Sequence, residues 1–135
     1  KVVDFSSEES SGEGANVFAS LILDVNHSTF WHSQWANGTG QLPHHITIDM
    51  QKEVTVVQVD LTRRTNNTDT KAGNFYISSD KTNWTKVGSF LMAKTNDAQP
   101  FAVTKSKGRY LKIEITESNR APFANMAEVD VRGIE

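Results

Sequence analysis

Leu111, Ile113 and Ile115 alternate with Lys112, Glu114 and Thr116. A period of two places successive side chains on opposite faces of an extended strand, so this stretch buries one face and wets the other. The alternation recurs along the chain. Ile46, Ile48 and Met50 oppose Thr47 and Asp49, and Val57, Val59 and Leu61 share a face within 54–61. Phe75 with Ile77, Val87 to Leu91, Phe101 with Val103, and Val129 with Val131 follow, after a first short run at 2–5. Asn, Asp, Gly and Ser turns separate the runs, and no amphipathic helix stands among them. Residues 15–23 read at most as a helical turn. Many short strands with polar turns predict an all-β sandwich or barrel.

The chain has 135 residues, which predicts one domain over 1–135 with room for a real core. Its formal net charge of -2 presents no broad cationic surface, so neither nucleic acid nor an anionic membrane is expected as a partner. Lys105, Lys107, Arg109 and Lys112 do gather, with no aromatic residue beside them except Tyr110. They read as a solvated strand edge and turn. Cysteine is absent, which excludes a disulfide frame, a thiol nucleophile and a thiolate metal site. No apolar run is long enough to span a bilayer. No leader pattern precedes Lys1, so the sequence reads as a mature chain or an excised domain.

Chemistry-bearing residues concentrate in 21–35. Asp24, Asn26 and Thr29 are hard oxygen donors at short spacing, the kind calcium takes in sets of six to eight. Two Trp and a His follow within five residues, Trp31, His32 and Trp35. Flat apolar rings beside a polar donor suit a sugar. Taken alone, the ordinary reading is commoner: Asp24 opens a turn, Trp31 is core and His32 lies on the surface. The loop from Arg63 to Gly73 supplies guanidinium and amide groups able to bond hydroxyls, and reads equally as a polar hairpin loop. Phe123 sits in a polar, Pro-containing loop, where it either meets a ligand or packs beneath. Catalytic patterns are missing: no Gly-x-Ser-x-Gly, no phosphate-cradling glycine loop and no His-Glu-x-x-His. The carboxylates Asp60, Glu114 and Asp130 fall on predicted solvent faces. His44 and His45 lack a third metal partner at useful spacing.

Six blocks resemble those of a known family. Asp24-Val25-Asn26-His27-Ser28-Thr29-Phe30-Trp31-His32 is similar to its Asp-Gly-Asn-x-x-Thr-x-Trp-His signature. Pro43-His44-His45-Ile46-Thr47-Ile48-Asp49-Met50 resembles its Pro-His-x-Ile-x-Ile-Asp-Leu strand. Leu61-Thr62-Arg63-Arg64, Ser78-Ser79-Asp80-Lys81-Thr82-Asn83-Trp84, Arg109-Tyr110-Leu111-Lys112-Ile113 and Met126-Ala127-Glu128-Val129-Asp130-Val131 resemble four more, in order. The blocks cover nearly the whole chain. The family is the coagulation factor 5/8 type C, or discoidin-like, family. The branch most alike is that of the family 32 carbohydrate-binding modules, which includes the N-terminal domain of galactose oxidase and a module of bacterial sialidases.

The resemblance implies a β-sandwich jelly roll of the galactose-binding-domain-like kind. It implies a structural calcium held by the Leu21 carbonyl, the Asp24 carboxylate, the Asn26 carbonyl, Thr29, the Ala127 carbonyl and the Glu128 carboxylate. Val25 departs from the family's glycine, so a positive backbone angle there would be strained. The resemblance further implies a sugar site on end loops. His32 and Arg64 would bind hydroxyls, with Arg63 as the alternative to Arg64, and Phe123 would stack on the sugar. Trp35, Asn67 as partner of Arg64, and Glu13 would contribute. The implied function is non-catalytic recognition of a terminal galactose or N-acetylgalactosamine. The expected setting is a monomeric domain of a larger, secreted or surface-exposed bacterial protein. Two other readings stand beside it. One is an adhesion or protein-interaction domain. The other is a glycosidase, which needs two carboxylates roughly 5 to 10 Å apart in a pocket.

Overall fold

The computed structural model describes residues 1–12, 17–36 and 40–134. Glu13 lies outside them. Among the described residues are eight strands: β1 (Val2–Phe5), β2 (Trp31–His32), β3 (His44–Thr62), β4 (Thr70–Ser78), β5 (Thr85–Leu91), β6 (Gln99–Ser118), β7 (Asn125–Met126) and β8 (Glu128–Ile134). One 3-10 turn, Ala19–Leu23, precedes β2. Among the described residues no helix is long and apolar enough to cross a membrane.

Two long strands organise the molecule. β3 and β6 pair antiparallel along most of their length, from His44 opposite Ile115 to Leu61 opposite Gln99, with the register shifting between Asp49 and Val54 and again between Val56 and Gln58. Below the first shift each strand changes partners. The first half of β3 pairs with β1 and its second half with β8. The second half of β6 pairs with β4, which pairs in turn with β5. Each long strand therefore serves both layers of a sandwich. One layer holds β1, the start of β3, the end of β6, β4 and β5; the other holds the start of β6, the end of β3, and β8.

The core lies between the layers. Phe75 of β4, Phe90 of β5 and Phe101 of β6 meet with ring centroids 5.1, 5.8 and 6.3 Å apart. Ile46, Ile48, Leu111, Ile113 and Ile115 are buried around them as their alternation requires. Full burial of such side chains is worth roughly 1.5–3 kcal/mol each. One phase differs from the simple pattern. Val56, not Val57, is buried with Val59 and Leu61, because the register shifts between Val56 and Gln58 and turns one extra residue outward. Asp60 also departs from its expected solvent face. It is buried and takes Nε–H of Arg132 at 2.8 Å and the Gln58 amide at 2.6 Å.

The bends of β3 and β6 gather at one end of the sandwich. Their termini, His44, Thr62 and Ser118, share the other end with the start of β4. Onto that second end β2 and β7 fold as a two-stranded ribbon, pairing Trp31 with Met126 and His32 with Asn125. Trp31 is fully buried and donates its indole N–H to the Ser7 carbonyl at 2.9 Å. The ribbon puts His32, the 33–36 segment and the 118–124 loop side by side.

Candidate functional site

His32, Trp35, Arg120 and Phe123 line a depression of about 230 Å³ at this end. His32 is buried rather than on the surface, yet it is one of the lining residues. Its Nδ1 lies 2.7 Å from the Ser33 carbonyl, so Nδ1 carries a proton and donates it there, the tautomer that leaves Nε2 as the ring's other polar atom. The ring packs against Phe123 at 5.7 Å between centroids, tilted by 59°. Phe123 is half-buried, so part of its ring is open to a ligand.

Three sets of hydrogen bonds hold these groups. The first fixes the Phe123 loop. Ser118 donates its hydroxyl to the Phe123 carbonyl at 2.6 Å, and buried His44 donates Nε2–H to the Pro122 carbonyl at 2.6 Å. Burial pushes the His44 pKa down, which keeps the ring neutral and able to serve as this strut. The second set fixes Arg120. Its guanidinium donates to Asp69 at 2.9 Å and its Cζ stands 4.8 Å from the Phe123 ring centroid. Asp69 also accepts from the side-chain amides of Asn67 at 3.3 Å and Asn125 at 3.2 Å.

The third set centres on Glu9, which is 1 % exposed. One carboxylate oxygen accepts the backbone N–H groups of Trp35 and Ala36, both at 2.8 Å. The other accepts from the Ser11 and Gly12 backbones and the Ser11 hydroxyl. These donors hold its pKa down at about 2. Gly12 lies against the Trp35 indole so closely that a Cβ would stand 2.5 Å from a ring carbon. Glu9 and Gly12 thus seat the Trp35 ring at the rim.

Of the anticipated sugar residues, the fold brings His32, Trp35 and Phe123 together. Asn67 lies two hydrogen bonds behind the depression, on the Asp69 carboxylate that holds Arg120. Arg64 is not part of its lining; its Cζ rests 3.9 Å from the Phe30 ring centroid. Arg63 is buried and donates Nε–H to the Thr95 carbonyl at 2.6 Å. The guanidinium at the depression comes from Arg120, which sequence reasoning passed over although it stands three residues before Phe123. Glu9 was also missed. Its Ser-Ser-Glu-Glu-Ser-Ser surroundings look solvated throughout, with no local signal for which carboxylate turns inward. None of the four lining residues is a carboxylate.

A second constellation forms where the 21–29 loop meets β8. The Asp24 carboxylate accepts the Asn26 N–H at 2.9 Å and the Thr29 hydroxyl. The Asn26 carbonyl accepts from Thr29, and the Leu21 carbonyl from Asp24 N–H. Glu128, 2 % exposed, takes the Val25 N–H on both oxygens at 3.0 and 3.1 Å. Burial first, then neighbouring Asp24 and Asp130, push the Glu128 pKa up. Two carboxylates converge with no ion-paired cation among the described residues. With the carbonyls of Leu21, Asn26 and Ala127 close by in the chain, this donor set is all oxygen. A hard divalent cation fits such a set and would relieve the repulsion. Val25 sits at φ 58°, the left-handed region that its branched side chain disfavours.

A model of the F5/8 type C domain matches residues 3–129. The chain is 29% identical over 137 residues to a sialidase of Micromonospora viridifaciens, covering 98% of this chain and 21% of that protein. It is 35% identical over 117 residues to galactose oxidase of Gibberella zeae, covering 81% of this chain and 17% of that one. It thus spans about a fifth of the curated relatives it matches. Among solved structures, the C-terminal domain of a chitobiase from Bacteroides fragilis aligns with a TM-score of 0.90 at 38% identity, over 99% of this chain and 93% of that one. The family 32 carbohydrate-binding module of NanJ from Clostridium perfringens, solved with galactose, aligns with a TM-score of 0.76 at 24% identity, over 95% and 90%.

Proposed function

Because this chain belongs to the F5/8 type C domain family and has the fold of its carbohydrate-binding modules, we propose that it binds a terminal galactose-type sugar in the depression of His32, Trp35, Arg120 and Phe123. The module itself is non-catalytic, as are the carbohydrate-binding modules it resembles. The observation that supports this reading best is the meeting of two open aromatic rings, an imidazole and a guanidinium in one small depression.

Galactose and N-acetylgalactosamine each offer a C–H face to a ring and an axial hydroxyl to polar groups. Phe123 or Trp35 would take the face. Nε2 of His32 would accept a hydroxyl proton and Arg120 would donate to a hydroxyl oxygen. Asp69 holds the Arg120 fork in place, which lowers the ordering cost of binding. Calcium is part of the proposal and is structural. Leu21, Asp24, Asn26, Thr29, Ala127 and Glu128 would hold it, supplying charge balance and a tie between loop and last strand. A secreted or surface-exposed location and attachment to a larger glycan-active protein go with this reading.

Titration of the isolated domain with galactose, N-acetylgalactosamine and glucose tests it. Binding to the first two and not the third is expected. His32→Ala should weaken it by about tenfold to a hundredfold, the cost of an unmade buried hydrogen bond. A folded domain that binds no galactose-type sugar at millimolar concentration overturns the reading.

A further inference from the structure

The cations of 105–112 read from sequence as solvated edge, without aromatic neighbours beyond Tyr110. The fold supplies those neighbours. On the outer face of the larger layer, Tyr76 of β4 sits across from Lys112 of β6 on one side and from Lys86 of β5 on the other. Lys112, Tyr76 and Lys86 therefore form one row across three strands. The two lysines lie two strand spacings apart, roughly 10 Å. Trp84, from the turn before β5, comes under Lys112, whose ammonium stands 4.1 Å from the indole centroid. In the next row Tyr110 receives Lys81 at 5.3 Å and Arg109 at 5.4 Å.

Three aromatic residues and four cations thus share one patch. Arg109 is neutralised by Asp49 through bonds of 2.8 and 3.0 Å. Lys81, Lys86 and Lys112 make no ion pair among the described residues. In a chain of net charge -2, three lysines without an ion-pair partner among the described residues thus share one face. The patch is also bounded. Glu114, which accepts from Asn74 and Tyr76, lies on one side, and Asp80 lies on the other, within the turn before Trp84.

We infer that this sheet face is a second binding surface, for the acidic sugars of a uronate-bearing polysaccharide. Lys86 and Lys112, held apart across Tyr76, pair with carboxylates of the chain. The Tyr76 ring and the lysine methylenes cover the C–H faces of its sugars. Rings beneath Lys81 and Lys112 fix those ammonium groups in advance, which lowers the entropy lost on binding. Nucleic acid is the poorer occupant. Its affinity comes from a long, dense track of phosphate contacts, one charge per about 3.4 Å of axis along each strand, which two lysines roughly 10 Å apart do not follow. The surface lies at the bend end and on an outer sheet face, so it does not depend on the end-loop depression. Loss of the galactose reading would leave it standing.

The test is affinity electrophoresis of the whole domain in gels containing polygalacturonate, with neutral galactan as the comparison. Retardation by polygalacturonate at 50 mM salt is expected, weakening at least tenfold at 500 mM. The double variant Lys86→Glu, Lys112→Glu should weaken binding by at least tenfold, and Trp84→Ala by about fivefold, each with an unchanged melting curve. Lys86→Gln, on an exposed side chain, serves if the double variant misfolds and should weaken binding about threefold. His32→Ala should leave polygalacturonate binding as it was. No retardation of the native domain, equal retention by duplex DNA or anionic vesicles, or loss in His32→Ala would each overturn the inference.

Discussion

Val25 is a branched residue held at φ 58° and 83 % exposed, so its side chain gains nothing in return for the backbone it occupies. The position is imposed by its neighbours: its N–H reaches both Glu128 oxygens. Left-handed backbone costs an L-residue about 1–2 kcal/mol, and asparagine tolerates it better. Val25→Asn should therefore raise the unfolding free energy by about 1 kcal/mol, read from the urea midpoint at fixed slope. Glu9 makes the opposite case. Its folded pKa of about 2 lies below the ordinary 4.5, so the unfolded chain binds the proton more readily. Its contribution to stability is complete above pH 4.5, fades as pH falls, and is gone below about 2. Glu9→Gln should flatten the acid limb of the stability profile, lower the melting point at pH 7 and red-shift the emission of Trp35 as its loop loosens. A parallel profile with a constant offset between the two proteins would remove the role given to the charge.

At the scale of elements, β4 and β6 depend on a missing side chain. A Cβ on Gly73 would stand 1.8 Å from the Glu114 carbonyl and 2.7 Å from the Phe90 ring. The carbonyl belongs to the paired strand and has nowhere to go, so Gly73→Ala should cost about 3 kcal/mol, measured by chemical denaturation. That glycine was not legible in sequence, since nothing local marks a strand glycine as a close approach. The alternation of Leu111, Ile113 and Ile115 was legible, because a half-buried strand leaves a period-two record. The phase of Val56 was lost at the bulge, where one extra residue inverts the pattern without changing composition. The continuity of β3 and β6 was lost for a related reason. The exposed stretch Gln51–Lys52–Glu53 reads as a turn between two strands, whereas the structure makes it a bend within one.

The whole molecule is held at one edge by residues far apart in sequence. Asp24 and Glu128 were readable as a pair only through the family's blocks, and the end-loop depression was readable only in part. Arg64 and Arg120 are equally polar and equally placed in loops. What sends Arg120 to Phe123 is the cross-loop bond to Asp69, which no local pattern records. The Asp24–Glu128 edge yields a prediction of its own. With no cysteine in the chain, no covalent bond can tie the early loop to β8. If calcium supplies that tie, a concentration a hundredfold above its Kd adds about 2.7 kcal/mol. For a domain of this size that is about 10 °C in Tm, so chelation with verified metal removal should lower Tm by about that much. Glu128→Gln separates the metal from mere packing. Without calcium it relieves a buried charge set against Asp24, so it should melt above the calcium-free native protein. With calcium it lacks a charged ligand, so it should gain little and melt below the loaded native protein. Only a cation bound between the two carboxylates makes the two melting orders cross. A Glu128→Gln variant that still gains the full calcium increment, or a native Tm unmoved by chelation, would show that this edge is held by packing and the Val25 hydrogen bonds alone.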